Sequence, residues 1–241
     1  MNKAICSVSV APLRETPFEQ SEMVTQFLYG ESCEVLEQQK GWVKIRIDYD
    51  GYEGWIDDKQ IKKVPPEYLS DRKFSLVTED FTSAMLPEGK VLLSMGSEVD
   101  FPTVASTRSS NIRESIVLTA KEFLNIPYLW GGKSFFAVDC SGLVQLVYKI
   151  HGIKLPRNSD QQAEIGEALT FVEESLPGDL AFFENQEGKI VHIGIMMENQ
   201  QIIHASGKVR IDILDSTGIF NKELNLHTHK LRFVKRIIQD S

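Results

Sequence analysis

Apolar and polar positions alternate through the first part of the chain. In Trp42-Val43-Lys44-Ile45-Arg46-Ile47-Asp48, Val43, Ile45 and Ile47 share one face and Lys44, Arg46 and Asp48 the other, the period of two of a half-buried strand. Asp50-Gly51 supplies a tight turn, because Gly tolerates positive φ, and Tyr52-Glu53-Gly54-Trp55-Ile56 returns as the partner strand. Cys33-Glu34-Val35-Leu36 precedes them, set off by the polar break Glu37–Gly41. Short strands with tight turns predict a small β-barrel over residues 1–64. Pro65-Pro66 donates no backbone hydrogen bonds and stiffens the chain, which marks a boundary. Phe74–Val77 and Lys90–Ser94, punctuated by Gly89, Gly96 and Pro102, then make residues 65–108 a second, degenerate barrel-like unit or a linker.

At Asn111 the period changes. Asn111 with Glu114 resembles a helix capping box, and Ile112, Ile116, Ala120, Phe123 and Leu124 recur at helical spacing until Pro127. A second, amphipathic helix is expected after Cys140, with Leu143, Val144, Leu146, Val147 and Ile150 as its apolar stripe and Gly152 as its stop. Beyond Pro177-Gly178 come strands at Asp179–Phe183, Ile190–Met197, Gln201–Ala205, Lys208–Ile213 and Leu231–Ile238. Helices first and an antiparallel sheet after give residues 109–241 an α+β pattern.

Composition narrows the function classes. Of 241 residues, 42% are hydrophobic and 25% charged, an ordinary globular balance that excludes disorder and a disulfide scaffold. The net charge of -8 and the lack of a Lys/Arg run argue against nucleic-acid or anionic-lipid partners. Three cysteines, Cys6, Cys33 and Cys140, are an odd and sparse set that favours a reducing compartment. No apolar run approaches the roughly 18–20 residues of a membrane helix. Residues 1–14 do not read as a signal peptide, so the expectation is a cytoplasmic monomer with no membrane partner.

Cys140 is the residue to explain. It opens a helix, where the macrodipole and unpaired N–H groups lower a thiol pKa from about 8.5 into roughly 3.5–7.5, so a thiolate is expected. Asp139 opposes this as a like charge. The alternative is a small buried hydrophobe. His192 and His204 flank the turn Glu198-Asn199-Gln200. With an odd loop the two strands place both rings on one face, directly opposed residues having Cβ atoms about 4.5–5.5 Å apart. His192 then takes the Cys140 proton while His204 fixes its tautomer. Zinc is disfavoured because the set lacks closely spaced ligand pairs, so no metal or other cofactor is expected. His151 reads as a helix cap, and His227 and His229 as solvated.

Asp139-Cys140-Ser141-Gly142-Leu143-Val144, Pro177–Phe183, His192-Ile193-Gly194-Ile195 and Ile203-His204-Ala205-Ser206 resemble the NlpC-type cell-wall cysteine peptidases over residues 111–238. The resemblance implies a papain-like α+β fold with Cys140, His192 and His204 as the triad. Gly41-Trp42 and Tyr52–Ile56 resemble the bacterial SH3-like barrels that accompany this peptidase in murein-peptide recycling, one or two of which are expected here. Related enzymes cleave after γ-D-glutamate in L-Ala-γ-D-Glu-diamino-acid peptides with a free N-terminal alanine. By that resemblance, Tyr128 donates to the oxyanion, Arg157, Ser159 and Ser141 hold the D-Glu carboxylate, and Asp139 pairs with the alanine ammonium. Glu22 and Tyr52 are the matching barrel candidates for the amine. The alternatives are a non-catalytic muropeptide-binding module, an acyltransferase, or a secreted endopeptidase acting on intact peptidoglycan.

Overall fold

A computed structural model describes residues 2–87, 89–103, 109 and 111–239. The chain divides into two compact units: Met1–Thr107 with Leu129–Ala137, and Arg108–Tyr128 with Val138–Ser241.

The first unit is built on a seven-stranded antiparallel sheet. Its order across the sheet is Met23–Leu28, Val10–Arg14, Glu53–Asp57, Trp42–Ile47, Ser32–Gln39, Lys3–Cys6 and Ile61–Val64. The alternation read in Trp42–Ile47 is the pairing observed: Val43, Ile45 and Ile47 are buried in one core with Ala4, Cys6, Leu13, Phe27, Cys33 and Ile56. Gly51, at φ +75, occupies the left-handed conformation that its turn to Glu53–Asp57 requires. Residues 66–99 add a short helix, Pro66–Asp71, a hairpin of Phe81–Leu86 with Gly89–Ser94, and a two-residue ladder of Ser75–Leu76 with Glu98–Val99. Val77, Leu93 and Val99 form a small core there. The segment Leu129–Ala137 is anchored within this unit by a buried Lys133–Glu31 ion pair at 3.2 Å and by the Gln26 side chain accepting from the Lys133 backbone N–H.

The second unit has the α+β order that periodicity predicts. Asn111 caps the helix Ile112–Glu122, its side chain accepting from the backbone of Arg113 and Glu114. Asp139 caps the helix Cys140–Ile150 in the same way, accepting from Gly142. The amphipathic expectation for this second helix is corrected: all of its residues are buried, Gln145 and Lys149 included. It packs against the sheet and against the preceding helix together, so it has no solvent face.

The sheet runs Glu167–Ala168, Leu226–Arg236, Leu180–Glu184, Ile190–Met196, Gln201–Ser206, Lys208–Leu214, Gly218–Asn221. Leu226–Arg236 pairs with both Leu180–Glu184 and Gly218–Asn221, which closes the sheet into a barrel. Two points differ from expectation. Gly218–Asn221 is an additional strand, and the last strand starts at Leu226, taking in His227 and His229. The polar residues there hid a strand whose partner, and not its own composition, completes the barrel. The interior is apolar at one end, with Met196, Ile202, Leu214, Ile219 and Val234 in a single cluster.

Candidate active site

Cys140 is the first residue of its helix, and its thiol is buried. Its backbone N–H lies in the first turn, where the intrahelical ladder supplies no acceptor. Burial, reinforced by the Asp139 charge, pushes the thiol up to about 12. Backbone hydrogen bonds from Ile193 and Ser141 and the Arg157 charge pull the other way. The expected resting thiolate is therefore corrected. Desolvation outweighs the helix terminus, and the sulfur rests as a thiol that needs a base.

The candidate base, His192, is carried by the neighbouring hairpin. Asn199 and Gln200 both have positive φ, 56° and 54°, and turn Ile190–Met196 into Gln201–Ser206. The register pairs Gly194 with His204 and Met196 with Ile202. His192 and His204 thus share the inner face of the barrel, but diagonally and not directly opposed, which corrects the simplest form of the pairing. Gly194 sits opposite His204, and a Cβ there would lie 2.9 Å from the His204 Cβ and 2.7 Å from Ile202. The missing side chain leaves room for the rings to meet, with His192 Nε2 at 2.9 Å from His204 Nδ1.

Three further groups complete this cluster. His204 Nε2 lies 3.0 Å from Asp212 Oδ2, and Arg210 donates to both oxygens of the same carboxylate at 2.7 and 3.0 Å. Burial raises the Asp212 carboxyl, but the hydrogen bonds from His204 and Arg210 prevail and hold it below the usual range. His229, expected to be solvated, instead stacks on His192 with ring centroids 4.2 Å apart. Burial, with the neighbouring imidazole His204 adding to it, lowers His192 well below its ordinary value and His229 to about 4. Sequence reasoning missed Asp212 and Arg210 because Val209, Ile211 and Ile213 alternate with them, the pattern of a strand whose polar face meets water. Barrel closure turns that face inward.

On the other side of Cys140, Arg157 is 2% exposed and donates to Asp139 Oδ1 and Oδ2 at 3.0 and 2.6 Å and to Ser141 Oγ at 2.9 Å. Asp139 therefore serves as helix cap and as the counter-ion of this guanidinium together. Ser159 is half-buried and opens a short helix, Ser159–Gln162, whose Gln162 donates to the backbone carbonyls of Ser141 and Pro156. Tyr128 is half-buried and lines a cavity of about 310 Å³ with Val191, His192, Ala205 and His229. Burial first, then the charges of Cys140 and Asp139, push its phenol up to about 12, so it is a hydrogen-bond donor near neutrality. Glu22 and Tyr52 belong to the first unit: Glu22 accepts from the Trp130 indole at 2.6 Å, and Tyr52 packs against the barrel core. His151 is the C-cap of the Cys140 helix and pairs with Thr119, and exposed His227 pairs with Asp215. Among the described residues no cluster of His, Cys, Asp and Glu is arranged to hold a metal ion, and no helix is long and apolar enough to cross a membrane.

Residues 125–228 match the NlpC/P60 family, and residues 13–61 match the bacterial dipeptidyl-peptidase Sh3 domain. The gamma-D-glutamyl-L-lysine dipeptidyl-peptidase of Bacillus subtilis (strain 168) is 28% identical over 236 residues, covering 83% of this chain and 78% of that protein. Dipeptidyl-peptidase 6 of Lysinibacillus sphaericus is 26% identical, covering 88% and 92%. The crystal structure of an NlpC/P60 family protein from Bacillus cereus ATCC 10987 superposes with a TM-score of 0.83 over 98% of this chain and 100% of that one, at 22% identity, a likeness of fold. With a buried cysteine at a helix N-terminus and a paired imidazole on the adjoining barrel, residues 125–228 match an NlpC/P60-type cysteine-peptidase domain and residues 13–61 an SH3-like domain.

Proposed function

We propose that this protein hydrolyses the γ-D-glutamyl–diamino-acid bond of murein peptides that carry a free N-terminal L-Ala. The observation that carries the reading is the Asp139–Arg157–Ser141 cluster beside Cys140. It offers an anion for an ammonium and a planar guanidinium with hydroxyls for a carboxylate, within one helical turn of the nucleophile. Ser159 adds a hydroxyl to the carboxylate site. The two dipeptidyl-peptidases aligned above, one named for γ-D-glutamyl-L-lysine, support the same substrate class.

The chemistry is acyl transfer. His192 removes the thiol proton as the Cys140 sulfur bonds to the γ-glutamyl carbonyl carbon, whose π electrons move onto oxygen. The Tyr128 hydroxyl and the Cys140 backbone N–H donate to that oxyanion. As the intermediate collapses, the C–N bond breaks and His192 returns the proton to the leaving amine. Water then attacks the thioester, giving its proton to His192, and the thiol is regenerated as the γ-carboxylate departs.

The test compares L-Ala-γ-D-Glu-meso-diaminopimelate with its N-acetylated form under reducing conditions, following release of the dipeptide. Cleavage of the free peptide and not the blocked one is expected. Equal cleavage of both removes the amine-pairing role of Asp139, and binding without cleavage makes the protein a muropeptide-binding module.

A further inference from the structure

Asp212 has no part in the reaction as written, yet it terminates the imidazole chain. We propose that Asp212 is a positioning residue that sets the tautomers of both His204 and His192, and so decides which nitrogen of His192 acts as the base. The inference rests on reading Cys140 and His192 as the reacting pair.

Donors and acceptors along this run of side chains fix where each hydrogen sits. An ionised carboxylate only accepts. Arg210, itself steadied by Glu223 at 3.2 Å, donates to both Asp212 oxygens, so the carboxylate stays anionic and oriented. His204 Nε2, at 3.0 Å from Oδ2, must then carry a hydrogen. In the neutral imidazole that leaves a lone pair on Nδ1, which at 2.9 Å can only accept from His192 Nε2. His192 therefore carries its hydrogen on Nε2 and its lone pair on Nδ1, the nitrogen not engaged by His204. Reversing any one bond reverses the rest and places a hydrogen on His192 Nδ1, where it cannot take the thiol proton. Two imidazoles in series have no preferred direction of their own; a fixed anion at one end supplies it. The groups facing this chain are Arg210, Glu223 and Asp212 on one side and His229 on the other.

Nitrogen-15 spectra of the full-length wild type, labelled at histidine, read this without substrate. The expected result at neutral pH is a hydrogen on Nε2 and a bare Nδ1 for both His192 and His204. A His204 protonated on Nδ1, or on both nitrogens, overturns the proposal. In Asp212→Asn the amide donates where the carboxylate accepted, and the His204 hydrogen should move to Nδ1. Replacing the carboxylate that orients a catalytic histidine by an amide costs about 10⁴-fold where contact is direct; one imidazole further away, a loss of about 100-fold in kcat is expected, with KM within about threefold. Asp212→Glu should recover to within about tenfold of wild type. A folded Asp212→Asn with unchanged kcat overturns the proposal, and if that variant does not fold the wild-type spectrum decides. A wild type that cleaves no peptide sinks the proposed reaction while the tautomers remain measured.

Discussion

The two units bury cysteines with opposite consequences. Cys33, in the SH3-like sheet, and Cys140, at the head of its helix, are both buried, and in both burial is the main cause that pushes the thiol up to about 12. Cys6 is likewise raised by burial and donates its S–H to the carbonyls of Val8 and Phe27. Burial and a raised thiol pKa therefore do not mark a nucleophile. What separates Cys140 is its place at a helix N-terminus against the strand that carries His192, where the backbone N–H groups of Ile193 and Ser141 reach its sulfur. The first unit contains no histidine, and its thiols meet carbonyls, apolar neighbours and the charges of Glu31, Asp48, Lys3 and Lys133, so no imidazole stands ready to take their protons.

The sharpest way to break this contrast is to exchange the sulfurs for alanine. Cys140→Ala should lower kcat by about 10³-fold or more, whereas Cys33→Ala should leave kcat unchanged. Alkylation by iodoacetamide followed by mass spectrometry of the folded protein should mark Cys140 ahead of Cys6 and Cys33; labelling of all three at one rate would erase the distinction. Next in size is Arg157→Ala. It leaves the Asp139 carboxylate buried without its guanidinium, a loss of about 3–5 kcal/mol in denaturant unfolding, so this residue should be felt in stability as well as in substrate binding. Gly194→Ala adds a Cβ against the Ile202 and His204 side chains and should cost about 1–3 kcal/mol, with kcat falling because the two rings are forced apart. Wild-type stability with full activity would mean that the diagonal pairing does not need the glycine.

The smallest effect expected is on pH dependence. His192, buried, and His229, half-buried, are held in their neutral forms with lowered pKa values, so below about pH 6.5 the unfolded chain binds protons that the folded chain refuses. Stability is then complete above that range and declines as pH falls toward about 4, the value to which burial lowers His229. Thermal melts across this window should show a shallower decline for His229→Phe than for the wild type. The same depression keeps His192 competent as a base, placing the acid limb of activity below the ordinary histidine range.

Local chemistry was legible because it repeats at short range. The alternation in Trp42–Ile47, the Asn111 cap and the helix opened by Cys140 each depend on neighbours a few residues apart, and each is found as read; the Asp139 cap came only with the structure. The pairing of His192 with His204 was legible as a same-face requirement, but its diagonal register depends on Gly194, whose place opposite His204 is fixed by the turn at Asn199-Gln200. The alternating strand around Asp212 carried no mark of a buried polar face.

Sequence alone therefore determined most of the elements, the helix that Cys140 opens and the imidazole hairpin, since period, caps and turn residues act through contacts close along the chain. Tertiary structure alone decided that the sulfur rests protonated, that Arg157 is locked to Asp139, and that Asp212 and His229 join the imidazoles. Each of these follows from desolvation or from barrel closure. Both depend on segments distant in the chain coming together, and no local pattern of residues encodes how much water that removes.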